Sequence, residues 1–376
     1  MNEDHSAHWL RLSLSPHFTA AEKHRLLATI GGAPFIAQCT EKQLAHFGLK
    51  VQAVEALSRL FNKADQSIER TVDQALNWAA QSGNALLSID SEYYPPLLAE
   101  ISDPPILLYV RGQLESLLET HIAIVGSRAC SADAKRNALS FAVDLAEQGY
   151  SIVSGLAYGV DTYAHQGAIN ANGTTIAVMG TGADLLYPAR NAALAQQIME
   201  RGALISELPL GSGPKPSHFP KRNRIISAMG MGTIVIEAAL KSGSLISARL
   251  AMEQGREVFA VPGSIRNAKA QGCHQLIKDG AQLLDHSSQV SQVLAPMCSP
   301  LNPSSREPNG PSPDACEKEL LSEQERVILN LIGYDLVSID TLCASSGIAV
   351  APLQTLLLQL ELKGRIECRA GAYVLA

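Results

Sequence analysis

From residue 121 onward, short all-apolar runs alternate with segments of helical spacing. The runs are His121–Val125, Ser151–Val153, Thr175–Met179, Ala203–Ser206, Thr233–Ile236 and Glu257–Val261, and helical spacing is clearest over Asn137–Gln148 and Leu245–Gln254. Strands without polar alternation belong in a sheet covered on both faces. The pattern therefore predicts an α/β fold: a Rossmann-like, mostly parallel sheet with helices on both faces. Crossovers in such a sheet are right-handed, and ligands bind at the carboxyl ends of the strands.

The flanks read differently. Residues 1–70 have helical spacing: Leu26, Leu27 and Ile30 precede the break Gly31-Gly32-Ala33-Pro34, and Thr40 caps a segment carrying Leu44 and Phe47. This predicts a small all-α module of SAM or helix-hairpin-helix type. Its charge is even, eight basic against seven acidic residues, so packing or partner binding suits it better than phosphate binding. Over 71–118, Tyr94-Pro95-Pro96 and Asp103-Pro104-Pro105 predict turns around short strands rather than helix. Residues 71–295 are read together as one extended Rossmann-like domain. Residues 296–316, rich in Pro, Ser and Asn, have the composition of a flexible linker. In 317–376 a capping box at Ser322 and Glu325, a helix after Ser338, a helix over about Val350–Lys363 and a hairpin over Gly364–Leu375 with Gly371 near its tip predict a winged helix.

The 376 residues, 46% apolar and 18% charged, can bury a sizeable core, which excludes global disorder. A net charge of −6 excludes a basic coat protein. The seven cysteines form no CxxC pair, so no zinc site or disulfide framework is expected. Reduced thiols and an acidic, polar N-terminus predict a cytoplasmic protein without a targeting peptide. No apolar run approaches the ~20 residues of a membrane span. No metal or cofactor is expected.

Six loops fall where strand carboxyl ends are predicted: Gly126-Ser127-Arg128, Ser154–Gly159, Gly180-Thr181-Gly182, Glu207–Gly211, Lys241-Ser242-Gly243-Ser244 and Pro262-Gly263-Ser264. Glycine lets an anion approach the main chain, and serine hydroxyls with helix-start amides can hold a phosphate. One such loop is weak evidence, whereas several on one edge suggest a phosphate-binding rim. Neither GxxxxGK[ST] nor GxGxxG occurs, so ATP hydrolysis and ordinary NAD chemistry lack their marks. The stretch from Lys215 to Ile226 holds four cations within ten residues, with Phe219 and Asn223 among them. Lys221, Arg222 and Arg224 placed in the first turn of a helix oppose its dipole, and a bound anion would remove that conflict. Phe219 can stack on a base while the cations neutralise phosphates.

Charge by segment agrees: 119–295 holds 15 Lys+Arg against 13 Asp+Glu, a net +2 in a chain of −6. Segment 314–376 holds 5 against 9, and the helix carrying Leu353, Leu356, Leu357, Leu358 and Leu360 lacks the cations of a groove-reading helix. The winged helix is thus expected to bind protein. Asp161 and His165, four apart, can be a general-base pair or a cap and a loop contact. The second reading is favoured because no nucleophile stands at a recognisable spacing. Glu237, closing an apolar run, is open between catalysis and loop positioning.

Taken together, these residues resemble the DNA-processing protein A family (DprA, also called Smf). The matching stretches are Tyr94-Pro95, Asp103-Pro104-Pro105, Val125–Arg128, Ser154–His165, Tyr187-Pro188, Phe219–Ile226, Glu237–Leu245, Gly255–Gly263 and Gly272–Gly280. Ile246-Ser247 and Ala270-Gln271 depart from the family's usual threonine and serine. The resemblance implies a non-enzymatic protein that binds single-stranded DNA, dimerises through the Rossmann-like domain and loads the RecA recombinase during natural transformation. It implies a DNA groove lined by Gly126, Ser127, Arg128, Ser154, Gly155, the segment from Lys221 through Arg222 and Asn223 to Arg224, and Ser242, Gly243 and Ser244. Phe219 joins that groove as a base-stacking ring.

Two rivals stand beside it. The Rossmann variant is similar to that of nucleoside-monophosphate phosphoribohydrolases, but the PGGxGTxxE motif is replaced by Glu237–Leu245. A transcription regulator using the winged helix is disfavoured by that domain's acidity.

Overall fold

The computed structural model describes residues 3–295, 328–329, 331–332, 337–346, 348–362, 365–369 and 372–375. The chain divides into two compact units, Met1–Leu301 and Asn302–Ala376.

The first unit opens with six helices: α1 (Glu3–Leu14), α2 (Ala20–Ile30), α3 (Ala33–Gln38), α4 (Glu41–His46), α5 (Val51–Phe61) and α6 (Gln66–Ala79). Local signals set their starts. Thr19 and Thr40 each form a capping box with the residue three further on, Glu22 and Gln43, and the Asp65 carboxylate accepts from the amides of Ser67 and Ile68. Apolar residues at three-residue steps, Val54, Leu57 and Leu60 in α5 and Val72, Ala75 and Trp78 in α6, turn inward. A two-pronged ion pair ties Arg11 in α1 to Glu69 in α6 at 2.7 and 2.8 Å. Helix α6 runs straight through residue 70, and a further helical turn, α7 (Pro96–Ala99), starts on a proline. The stretch 71–118 therefore contains helix that its prolines argued against; proline suits a first helical turn, whose N–H groups have no intrahelical partner.

Strands β1 (Asn84–Ser88) and β2 (Leu107–Gly112) pair antiparallel, and β2 pairs antiparallel with a later strand. Their side chains alternate: Leu86, Leu107 and Tyr109 join the core of the helical module, while Leu87, Leu108 and Val110 join the main core. The N-terminal helices and the sheet thus share two short strands between them.

The remaining elements of this unit are β3 (His121–Val125), α8 (Ala132–Glu147), β4 (Ser151–Ser154), α9 (Val160–Asn170), β5 (Thr175–Val178), α10 (Ala192–Arg201), β6 (Ala203–Ser206), α11 (His218–Met229), β7 (Gly230–Val235), α12 (Ser244–Glu253), β8 (Glu257–Ala260), α13 (Gln271–Lys278), β9 (Gln282–Leu283) and α14 (Ser288–Leu294). The sheet has nine strands in the order β1-β2-β6-β5-β4-β3-β7-β8-β9, with β3 to β9 parallel throughout. One face carries Val125, Val153, Ile176 and Val235 against α11 and α12; the other carries Ile122, Ile124, Ile152 and Ile234 against α8 and α9. The six predicted strands are present. Strand β7 begins three residues early because Gly230 and Gly232 carry no apolar side chain to signal it; a Cβ at Gly232 would meet the Phe259 ring at 2.8 Å. Helix α8 begins at Ala132, capped by Ser131, ahead of its apolar periodicity.

In the second unit, β10 (Val337–Ser338), α15 (Ile339–Ser346), α16 (Val350–Leu362), β11 (Ile366–Arg369) and β12 (Ala372–Leu375) surround a core of Ile328, Ile332, Leu342, Leu353, Leu357, Leu360 and Ile366. The strands form a small sheet, β10-β12-β11, as a winged helix requires. The expected linker at 296–316, the capping box at Ser322 and Glu325, and Gly364 and Gly371 lie outside the described residues. No helix among the described residues is long and apolar enough to cross a membrane.

Candidate nucleic-acid interface

Strand β3 is flanked by β4 and β7, so the chain leaves it in both directions across the sheet. The loops that follow β3 and β7 consequently part at the carboxyl edge and leave a crevice, the position at which open α/β sheets bind ligands. A cleft of about 760 Å³ occupies it. It is lined by Gly126, Ser127 and Arg128 from the loop after β3, Asp161 from α9, Tyr187 from the loop after β5, Phe219, Arg222 and Asn223 from α11, and Ser242, Gly243 and Ser244 at the start of α12.

The loop after β3 is held from two sides. Its Ser127 N–H donates to the Glu237 carbonyl (2.8 Å), and the Ser127 carbonyl accepts from Val160 N–H (3.2 Å). A Cβ on Gly126 would lie 2.6 Å from the Val160 side chain, so only glycine lets the loop lie this close to α9. The Glu237 carboxylate, 3% exposed, accepts the Ser131 amide at 3.2 and 3.3 Å and stays out of the cleft lining. Of its two open roles, positioning this loop is the one its contacts support.

An aromatic–cationic cluster stands over the cleft. The Arg128 guanidinium lies 5.2 Å from the Phe219 ring centroid, and the exposed Tyr187 ring lies 6.0 Å from it at a tilt of 47°. Phe219 rests on Gly180, where a Cβ would come within 2.9 Å of the ring. That close approach accounts for the Gly180-Thr181-Gly182 loop, which supports an aromatic side chain rather than an anion. Tyr187, which lines the cleft, was not among the predicted groove residues. The signal available was an aromatic on a strand-end loop of a chain with only 5% aromatics.

Not every predicted groove residue is there. Ser154 is fully buried, its hydroxyl donating to the Ile124 carbonyl at 2.7 Å. Gly155 makes room for Arg222, whose guanidinium would be 2.4 Å from a Cβ at that position. Arg222 is 6% exposed and donates to the carbonyls of Gly155 (2.6 Å) and Val178. Burial pushes its pKa down to about 10 against the opposing pull of Asp161. The Asp161 carboxyl is itself raised by burial, which outweighs the neighbouring Arg222. Arg224 points away from the cleft, to Asp103 at 3.2 Å and Glu207 at 2.5 Å. Lys221 is exposed on α11 outside the cleft lining.

The dipole reasoning is corrected by these positions. Helix α11 begins at His218, so Lys221 closes its first turn, and Arg222 and Arg224 follow it, where the dipole field has faded. Two of the three already face protein acceptors. The cations left exposed are Arg128, Lys215, Lys221 and Lys241, and the opening amides of α12 are already engaged: Ser244 N–H donates to Ser242 Oγ at 3.3 Å, and Leu245 and Ile246 N–H donate to the Ser242 and Gly243 carbonyls at 3.2 and 3.1 Å. Ser242 and Ser244 share one hydroxyl hydrogen bond there (2.5 Å), and the Asn223 amide reaches the Gly243 carbonyl at 3.4 Å.

Asp161 and His165 both hold the loop after β4, and Asp161 does not cap α9, whose N-cap is Gly159 without a side-chain bond. Asp161 accepts the Ala157 amide at 3.3 Å. His165 Nε2 accepts the Leu156 amide at 3.3 Å, which leaves Nδ1–H to donate to Thr175 Oγ1 at 2.7 Å; that hydroxyl donates on to the Ile152 carbonyl. Burial pushes the imidazole down to about 3, so it is neutral and has both nitrogens engaged.

A Rossmann-like domain with its cleft at the switch point, preceded by helices and followed by a winged helix, defines the class. Residues 85–295 match the family model of the DNA recombination-mediator protein A, and 307–372 match the DprA winged helix domain. Protein Smf of Escherichia coli is 41% identical over 306 residues, 81% of each chain. DNA processing protein DprA of Streptococcus pneumoniae is 46% identical over 203 residues, 54% of this chain and 72% of that one. The X-ray structure of the S. pneumoniae protein superposes with a TM-score of 0.65 at 36% identity, covering 77% of this chain and 97% of that one. DNA processing protein A from Helicobacter pylori, for which a single-stranded DNA binding mode is described, gives a TM-score of 0.52 at 30% identity, over 57% of this chain and 96% of that one. The chain belongs to the DprA family of DNA recombination mediators.

Proposed function

We propose that this chain binds single-stranded DNA in the switch-point cleft, protects it and delivers it to the RecA recombinase during natural transformation. The observation that carries the reading is the cluster of Arg128, Phe219 and Tyr187 over the switch-point cleft. It offers a ring for any base and a cation for any phosphate, and the Asn223 amide in its lining is turned to the Gly243 carbonyl. That combination suits an unpaired strand of any sequence and fails on a duplex, whose bases are stacked away. The H. pylori relative's single-strand binding supports the assignment. Binding, not catalysis, is the activity proposed, since Glu237, Asp161 and His165 all serve as loop and helix supports. Homodimerisation through the Rossmann-like domain, a cytoplasmic location and a protein partner for the winged helix belong to the same proposal. For the last, α16 contains no Lys or Arg, and its Leu358 is exposed.

A competition experiment tests the reading. A labelled oligothymidylate bound to the full chain should be displaced by unlabelled single strands of any composition and hardly at all by duplex. Displacement by duplex as efficient as by single strand would overturn it. Added RecA should then load faster on the bound strand than on a strand coated with competitor protein alone; equal rates would remove the mediator step.

A further inference from the structure

The loop joining β8 to α13, residues 261–270, lies outside the cleft lining but stands at the same carboxyl edge, one strand beyond β7. Ile265 is 84% exposed, more than any other large hydrophobic among the described residues. A single exposed isoleucine is ordinary in itself; its setting is less so. Between Glu257 and Asp279 the chain has Arg266, Lys269 and Lys278 and no carboxylate. The neighbouring loop after β7 exposes Leu240 beside Lys241. Apolar and cationic side chains thus interleave along the edge.

The loop is also braced. Asn267 and Ala270 amides donate to the Ser264 and Asn267 carbonyls at 2.9 and 3.0 Å, and Lys269 N–H donates to Asn267 Oδ1 at 2.9 Å. The His274 ring meets the Gly263 carbonyl at 2.9 Å. Ile265 and Arg266 are therefore held outward by a hydrogen-bonded frame. That frame is continuous with the cleft: Lys269 Nζ donates to the carbonyl of Ala129, a cleft-lining residue. Gly272 N–H donates to the Ala238 carbonyl at 2.7 Å, and a Cβ on Gly272 would lie 2.5 Å from that oxygen.

We infer that this loop, with Leu240 and Lys241, is a second contact surface for the single strand, placing Ile265 against a base and Arg266 on a phosphate. The inference rests on the reading of the cleft as a single-strand site. Neighbouring strands of a sheet lie about 4.8 Å apart, so β8 carries its loop past the cleft between β3 and β7. A strand that only fills the cleft does not reach it, while a longer one does. Unstacked bases offer apolar faces that a duplex withholds, so the surface preserves both sequence tolerance and strand selectivity.

The test is fluorescence anisotropy of labelled oligothymidylates of about four and about twenty nucleotides against the full chain and the variant I265S/R266A. The short oligonucleotide should bind both proteins alike. The long one should bind the variant about tenfold more weakly, with a salt slope flatter by about 0.7 for the lost phosphate contact. Equal affinity of variant and parent for the long strand would overturn the inference. Equal weakening at both lengths would do the same, showing that the loop acts only by holding Ala129. A changed sedimentation mass with unchanged DNA affinity would assign Ile265 to contact with a second copy instead. If the parent chain binds neither oligonucleotide, the cleft reading itself fails and takes this inference with it.

Discussion

Replacing Arg222 by Met separates a structural cation from a DNA-binding one. The guanidinium is buried between the Gly155 and Val178 carbonyls and faces the buried Asp161. Met keeps much of the side-chain volume but leaves two buried acceptors without their charged donor and one buried carboxyl without its partner. Each hydrogen bond from a charged donor contributes about 1.5–3 kcal/mol, and the guanidinium also offsets part of the cost of burying the Asp161 carboxyl. These contributions overlap, and Asp161 can relieve part of the loss by taking up a proton, so about 3–5 kcal/mol of destabilisation is expected. Both tryptophans, Trp9 and Trp78, sit in the core of the helical module within the first unit. Urea unfolding followed by tryptophan fluorescence therefore reports on the unit concerned. Adding Asp161→Asn should cost less than the sum of the single changes, because the second change removes the stranded acid. An unfolding midpoint for Arg222→Met equal to that of the parent, together with a large loss of DNA affinity, would refute the reasoning and make Arg222 a phosphate ligand.

The exposed groups should behave in the opposite way. Arg128→Ala should leave the urea midpoint in place while weakening all single strands alike and flattening the salt slope by about 0.7; an unchanged slope would remove Arg128 from the groove. Tyr187→Ala should weaken thymidylate binding by about 1–3 kcal/mol if the ring stacks on a base, and Tyr187→Phe should restore most of it; equal loss in both would point to the hydroxyl instead. Acid should destabilise the first unit through His121 and His165, which burial pushes down to about 4 and about 3. Folded pKa values below the unfolded one mean that the unfolded chain binds the extra protons. Stability is then present above about pH 6.5 and falls by roughly 1.4 kcal/mol per pH unit for each histidine as pH drops toward 4. Asp161, raised by burial, works in the other direction at the acid end. Thermal melts from pH 7 to 4.5 check this, and a flat profile would contradict the buried neutral imidazoles.

The sheet was legible because its strands are covered on both faces, so burial writes itself as uninterrupted apolar runs. Strands β1 and β2 gave a weaker signal, since their alternating faces serve two different cores. The early start of β7 was invisible because Gly230 and Gly232 have no side chains to show. The groove loops at Gly126 and Ser242 could be placed from glycine and serine at strand ends. The fate of the cations could not, because charge in a sequence does not say which partner it meets. Arg222 finds main-chain carbonyls, and Arg224 finds Asp103 and Glu207, residues 121 and 17 positions earlier in the chain. Ser154 looked like a phosphate ligand by type and position, yet its hydroxyl serves the Ile124 carbonyl inside the sheet.

The central claim is tested most directly by fluorescence anisotropy of a labelled oligothymidylate and its duplex counterpart at several salt concentrations. The account predicts tight binding to the single strand, a clear preference over duplex, and an affinity that falls steeply with salt. Equal affinity for the two forms, or binding indifferent to salt, would contradict it.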